Sequence, residues 1–431
     1  MIKFFLIIIF ILKFNVAFAE NNLMFFLESA YNNNPKLNAA RENLKATRQN
    51  INISKSEFLP NLSVSASVNS TESFNKKSHA GTSLSDSNKE TAIKEFSVDQ
   101  QLFSGFKNYN SIKKSELEVK KASSELHNME QTTILNAATA FLDLIYKKKS
   151  KIFNSSNVSL FERQVESDSV RLQKGEITLT DLAQSESSLA GARAKLISAD
   201  NELLTIKQNF QRITNMGVPN EIVEKIKINI NLPKTLSESL NLSQSKNPKL
   251  KISKLNSLIA KKELNIEKAL ISPSASINYS KSETNDFSST IDTVDEESVK
   301  ATVSWPIIQG GKNYSSIKKS KFKKKQSELI LQDTLNEVKT NTTNAWSLYK
   351  SSNSILESTE AQVQAAEIAN EGITLEYDSG NTRTTLEVIQ SRSLLLDARI
   401  ANAKAERDFI VSKFKLLEAV GGLTLQSIKN Q

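Results

Sequence analysis

The chain has 431 residues, a net charge of +9, 39% hydrophobic residues, 11 Gly, 7 Pro, 2 His and no Cys. The lack of Cys excludes disulfide scaffolds, thiolate metal sites and a lipidated N-terminal cysteine, and two histidines leave little room for imidazole chemistry. Length alone suggests about three domains, while the scarcity of Gly and Pro points to long uninterrupted elements rather than a loop-rich enzyme.

Residues 1–19 read as a secretory signal peptide. Lys3 supplies the positive end, Phe4 to Ile11 the apolar run, and Ala17-Phe18-Ala19 the cleavage site before Glu20. The apolar run is too short to span a bilayer, and no later apolar stretch reaches the length of a transmembrane helix. Without Lys3 and Lys13 the chain keeps 54 basic and 47 acidic residues, a net charge of +7. The excess sits in helical patterns at Lys113-Lys114, Lys147 to Lys149 and Lys318-Lys319. Interleaved aromatics of a single-strand groove are not evident there, so solvated helix faces and no nucleic-acid partner are expected.

The chain is internally duplicated. Asn34-Pro35-Lys36-Leu37 returns as Asn247-Pro248-Lys249-Leu250, and nine of the eleven residues in Gly105 to Ser115 return in Gly310 to Ser320. Gly175, Gln184-Ser185 and Ala192-Arg193 return as Gly380, Gln390-Ser391 and Ala398-Arg399. Offsets of 213, 205 and 206 describe two copies of one unit, 20–215 and 236–431, joined by a linker at 216–235.

In each copy a short helix breaks at Asn-Pro, where Asn caps and Pro opens a second helix. Strict alternation follows. Leu62, Val64, Ala66 and Val68 interleave with Ser63, Ser65, Ser67 and Asn69. After a polar stretch from Thr71 to Glu90, Phe96, Val98 and Leu102 interleave with Ser97, Asp99 and Gln101. The second copy repeats this at Ala275 to Tyr279 and Val299 to Trp305, giving β-hairpins at about 61–103 and 274–308. A half-buried soluble sheet is one reading. Export, strands of about ten residues and aromatics near strand ends favour lipid. Four strands cannot close a barrel; two chains would give eight strands with a filled interior, and three would give twelve with a lumen.

Phe106 to Leu172 then contains no Pro or Gly, about 100 Å if helical. A turn at Gly175 leads to a returning helix in which Leu182, Leu189, Leu196, Leu203 and Phe210 recur every seven residues, with Ser185, Ala192 and Ala199 between them. The second copy turns near Gly380. Ile226, Ile228, Ile230 and Leu232 alternate with polar residues in the linker, which predicts a short strand.

These features resemble the TolC family of outer-membrane efflux proteins from end to end. The resemblance is carried by Glu20 to Met24, the duplicated Asn-Pro-x-Leu, Gly175-Glu176-Ile177-Thr178-Leu179-Thr180-Asp181 and Tyr377-Asp378-Ser379-Gly380-Asn381-Thr382-Arg383-Thr384-Thr385-Leu386-Glu387-Val388. It implies a mainly α fold with membrane β: a homotrimer whose 12-stranded outer-membrane β-barrel continues into a long α-helical coiled-coil barrel in the periplasm. It also implies a passive exit duct of a tripartite efflux pump or type I secretion system, not an enzyme, without cofactor or metal. Outer-membrane lipid, a periplasmic adaptor and an inner-membrane transporter would be its partners.

The resemblance further assigns a latch at the tunnel mouth to Asp181, Tyr377 and Arg383, with the guanidinium of Arg383 suited to the carboxylate of Asp181. Pore rings would fall at Glu387 and Gln390. The turns docking the adaptor would hold Gly175, Thr180, Gly380 and Thr382. Three converging Glu387 carboxylates favour cations, and a neutral Gln390 ring weakens that preference. Asn381 is an extra residue in the turn. The other class of function open to the sequence is an exported coiled-coil scaffold or adaptor that never enters lipid. A hydrolase lacks a nucleophile motif and a plausible base.

Overall fold

The computed structural model describes residues 23–219, 230–288, 291–379 and 383–429. Helices α1 (Leu23–Asn33) and α2 (Pro35–Ser56), strands β1 (Asn61–Ser73) and β2 (Ser87–Phe103), and helices α3 (Lys107–Gln173) and α4 (Leu179–Thr214) make the first copy. The second copy is α5 (Leu236–Lys246), α6 (Pro248–Ala269), β3 (Ser274–Asn285), β4 (Thr293–Ser304), α7 (Lys312–Asp378) and α8 (Thr385–Val420), followed by α9 (Leu425–Lys429). Paired helices match in length, at 11, 22, 67 and 36 residues. The signal peptide, the linker residues Asn220 to Asn229 and the turn residues Gly380 to Thr382 lie outside the described residues. Ile230 and Leu232 are described and form no strand.

Two compact units each draw on both copies. The first is Met1–Ala39, His127–Asn247 and Glu337–Gln431, and the second is Ala40–Leu126 with Pro248–Asn336. The first unit holds the main core. Phe26 stacks on Phe141 at 5.1 Å and meets Phe210 edge-on at 5.2 Å. All three rings are fully buried among Leu23, Leu27, Ile134, Leu144 and Phe414, and each such side chain contributes about 1.5–3 kcal/mol of burial. Along the first two-thirds of α4 the small residues Ser185, Ala192 and Ala199 are buried and Leu182, Leu189 and Leu196 half-buried, and large buried side chains follow at Leu203 and Phe210. The small side chains let neighbouring helices approach closely.

The Asn-Pro repeat acts as a clamp inside this unit. Asn34 Oδ1 accepts from the backbone N–H of Lys36 and Leu37, capping α2, while its Nδ2 donates 3.0 Å to the carbonyl of Ile213 at the end of α4. Asn247 Nδ2 likewise donates 2.9 Å to the carbonyl of Ala419 near the end of α8. A carbonyl at the end of α4 is thus satisfied by the residue that precedes α2, and one near the end of α8 by the residue that precedes α6.

The second unit holds one antiparallel sheet in the order β1-β2-β3-β4. Its strands, of 12 to 17 residues, outrun the predicted ones, because Thr71 to Ser73, Ser87 to Glu90, Lys281 to Asn285 and Thr293 to Glu297 pair within what reads as polar loop. The antiparallel ladder satisfies backbone groups whatever the side chains, and Lys94–Glu283 and Lys281–Glu297 bridge neighbouring strands. Register sorts the residues into rows. Asn61, Asp99, Asn278 and Lys300 form one row, and Ser63, Ser97, Ser280 and Ser298 the next. On the other face Leu62, Val98, Tyr279 and Val299 form a row. Leu62, Val64, Val68, Val299 and Val303 are 61–80% exposed, and they lie on β1 and β4, the two edge strands.

The joins between sheet and helices are also duplicated. Asn108 Nδ2 donates to the carbonyl of Glu57 at 2.9 Å, and Asn313 Nδ2 to that of Leu270 at 3.1 Å. Gly105, with φ of +62°, lies so close to Ser272 that a Cβ there would fall 2.5 Å from the serine Cβ.

Candidate functional site

Both helical turns that carry the sequence-predicted residues belong to the first unit, and the helices that follow them open alike. At the first, α3 ends in a left-handed residue: Gly175 has φ of +76°, and the N–H of Glu176 returns to the carbonyl of Arg171. That is a Schellman stop, which glycine fits without strain. α4 then opens on Thr178, whose hydroxyl oxygen accepts from the Asp181 N–H while the Asp181 carboxylate accepts from the Thr178 N–H. α8 opens on the same reciprocal box, with Thr384 and Glu387 in place of Thr178 and Asp181. Each box satisfies two otherwise orphaned donors.

Hydrogen bonds from Thr178 hold the Asp181 carboxyl below its ordinary range. Glu387 is held low by the Thr384 backbone N–H and then by Arg383. Arg383 spans the second turn. Its Nε donates 2.6 Å to Glu376 at the end of α7 and its Nη1 2.9 Å to Glu387 on α8. These carboxylates, Glu376 first, raise the guanidinium above its usual value.

Tyr377 is buried and makes a bond of longer range. Its hydroxyl donates 2.8 Å to Asp168 Oδ1 on α3 and lies 3.1 Å from the hydroxyl of Thr385. Burial, more than any contact, pushes the phenol above its ordinary range. The guanidinium of Arg171 sits 4.4 Å from the centre of the Tyr377 ring. Asp168, which has no exposed surface, also accepts from Ser185 on α4 at 2.5 Å and from Gln164 at 2.9 Å. One buried carboxylate therefore ties α3 and α4 to α7, and the Tyr377 hydroxyl extends the link to Thr385 of α8. Arg392 adds a further link from α8, its Nη1 reaching the carbonyl of Leu160, and burial lowers its guanidinium below the usual value.

Among the predicted residues, the structure brings Arg383 to Glu387. It holds Tyr377 within the same turn region without joining it to Asp181. Within this chain Arg383 does not reach Asp181, whose bonds described here are to Thr178. Gly175 and Thr180 lie exposed at the first turn, Gln390 is exposed on α8, and Gly380 and Thr382 are outside the described residues. Asp168 is the residue sequence reading misses. Its only sequence signal is an acidic residue on the helix face that also holds Gln164 and Arg171, four and three positions away.

The profile of the outer membrane efflux protein family matches residues 26–216 and 240–422, one match on each copy. The outer membrane efflux protein BepC of Brucella suis is 25% identical over 403 residues, 93% of this chain and 86% of its own length. The outer membrane protein TolC of Vibrio cholerae is 22% identical over 425 residues, 96% of this chain and 93% of its own. In fold, the Campylobacter jejuni CmeC outer membrane channel superposes with a TM-score of 0.80 at 16% identity, covering 94% of this chain and 86% of that one. With both copies matched, the chain belongs to the outer membrane efflux protein family.

Proposed function

We propose that the chain is one protomer of a trimeric outer-membrane exit duct, serving a tripartite efflux or type I secretion assembly. The observation that carries this reading is the sheet of the second unit. It ends on two long edge strands, β1 and β4, and exposes an apolar face beside a serine-rich one. An exposed, apolar, unpaired edge invites aggregation in water, whereas closure into a barrel removes the edges, places the apolar rows in lipid and turns the serine rows toward a lumen. Three copies give twelve strands, enough for a water-filled lumen.

The two helical turns form the gate in this reading. Tyr377 holds the α7–α8 pair against Asp168 within the protomer, and the exposed Arg383 and half-buried Asp181 face neighbouring copies. Glu387 and Gln390 line the mouth, and the turns at Gly175 and Gly380 receive the adaptor. The duct is passive, and the inner-membrane partner supplies the energy. Membrane fractionation with planar-bilayer recording tests the reading: the chain should sediment with outer membranes and give unitary conductance steps. A chain absent from the outer membrane and without conductance would instead be the exported coiled-coil scaffold.

A further inference from the structure

The two strand-to-helix exits of the second unit are copies of one sequence, yet they differ in charge. At the start of α3, Lys113 pairs with Glu116 at 3.0 Å, and Lys114 pairs with Glu118 at 3.6 Å and Glu263 at 3.1 Å. At the matching positions of α7 both glutamates are replaced, by Lys321 and Lys323, and no acidic residue occurs between Lys312 and Glu328. Of Lys318, Lys319, Lys321, Lys323, Lys324 and Lys325, only Lys324 has an ion-pair partner among the described residues, Glu328 at 3.2 Å.

This basic face is not the plain solvated one its composition suggests. Tyr314, Lys318, Phe322, Lys325 and Leu329 follow one another at spacings of four, four, three and four, which places them in a single stripe along the helix. All five are exposed, the aromatics by 72% and 66%. Ser315, Lys318, Lys319, Phe322, Lys323 and Gln326 border an open depression of about 570 Å³. Immediately before α7, Trp305, Ile307 and Ile308 are exposed by 64%, 79% and 88%, directly after the exposed Val303 of β4.

We propose that this face of α7 binds the anionic headgroups of phospholipids in the periplasmic leaflet of the outer membrane. The inference rests on the sheet lying in lipid. Apolar residues continuing from β4 then sit at the bilayer edge, and α7 leads away from it. Side chains of a helix tilt toward its N-terminus, so these lysines lean back toward the sheet. Lys318, Lys319 and Lys321 lie only about 9–14 Å of helix rise beyond Lys312, and a lysine stem of about 6 Å snorkels to the phosphate level. Lys323 and Lys325 act within a Debye length of about 8–10 Å. Aromatic and basic residues alternating along one stripe suit a surface that is apolar below and negatively charged above. The matching turn of α3, neutralised by its own glutamates, has no such preference.

The test compares wild type with a variant carrying Lys318→Gln, Lys319→Gln, Lys321→Gln, Lys323→Gln and Lys325→Gln, and with a control carrying Lys113→Gln and Lys114→Gln. Each full-length assembly is placed in vesicles of phosphatidylcholine alone or with 30% phosphatidylglycerol. For wild type and control, phosphatidylglycerol should raise the thermal unfolding midpoint by about 4 °C at low salt and by far less in 0.5 M salt. The α7 variant should lose that increment while keeping its midpoint in phosphatidylcholine. Inorganic phosphate or free glycerophosphate reproducing the increment would overturn the lipid assignment. A variant destabilised equally in both vesicles would show a second copy covering the face. An unchanged increment with a shifted reversal potential would place the lysines in the lumen. If wild type fails to enter phosphatidylcholine vesicles at all, the duct reading fails, whereas insertion without lipid dependence overturns only this inference.

Discussion

The hydroxyl of Tyr377 donates to the carboxylate of Asp168 across 209 residues of sequence, and that carboxylate has no exposed surface. Tyr377→Phe keeps the ring beneath Arg171 and removes only the bond. Losing a hydrogen bond to a buried charged group costs about 1.5–3 kcal/mol. The helical part should therefore melt lower, and single-channel conductance should rise because α7 and α8 are no longer tied to α3. A melting shift with unchanged conductance would show the bond to be structural and not part of a gate.

Arg383 presents the opposite balance. Its pairs with Glu376 and Glu387 are open to solvent on both sides, and such pairs add little to stability. Arg383→Ser should leave the melting midpoint almost unchanged and raise conductance, and Asp181→Ala should raise conductance in the same way. Wild-type conductance in both variants would remove these two residues from the gate.

Acid should act on the caps. Asp181 and Glu387 are both held below their ordinary values, Asp181 by Thr178 and Glu387 by the Thr384 N–H and Arg383. A carboxylate depressed on folding contributes stability that is complete above its unfolded value, about 3.9 for Asp and 4.3 for Glu, and that is lost as pH falls through the lower folded value. Conductance recorded from pH 7 to pH 3 should therefore rise below about pH 4. In a variant carrying Asp181→Asn and Glu387→Gln that acid limb should be weaker.

The glycines separate by their surroundings. A Cβ at Gly421, where φ is +77°, would fall 2.6 Å from the backbone of Lys246, beside the Asn247 clamp. Gly421→Ala should destabilise by about 2 kcal/mol or more, combining a left-handed alanine with a backbone clash. Gly191, in the middle of α4 with open space at its Cβ position, should gain about 0.5–1 kcal/mol on substitution by Ala. Thermal melts of the two variants check the contrast.

Much of the fold is legible in the sequence, because duplication writes each element twice. Asn34-Pro35 and Asn247-Pro248 mark the helix starts, and Leu62 to Val68 marks a strand by alternation. The strand ends are not legible. Lys281, Glu283, Glu297 and Asp295 look like loop, and only their cross-strand partners make them strand. At the site, local signals succeed and distant ones fail. Thr178 and Asp181 announce a capping box three residues apart, but nothing in the sequence connects Asp168 to Tyr377. Their bond exists because two long helical hairpins end side by side, a tertiary fact that local spacing does not encode. The lysines of α7 show the same limit. Pairs of lysines read as a wet face until the helix places Tyr314, Lys318 and Phe322 in one stripe.

The central claim is that the serine rows of the sheet line a pore, and the absence of native cysteine makes this directly measurable. Ser97→Cys lies in the row with Ser63, Ser280 and Ser298, and Val98→Cys in the row with Leu62, Tyr279 and Val299. A charged, membrane-impermeant thiosulfonate is added during planar-bilayer recording of each variant. A serine-lined pore predicts a stepwise fall in conductance for Ser97→Cys and none for Val98→Cys. Equal responses, or no conductance to modify, would contradict it.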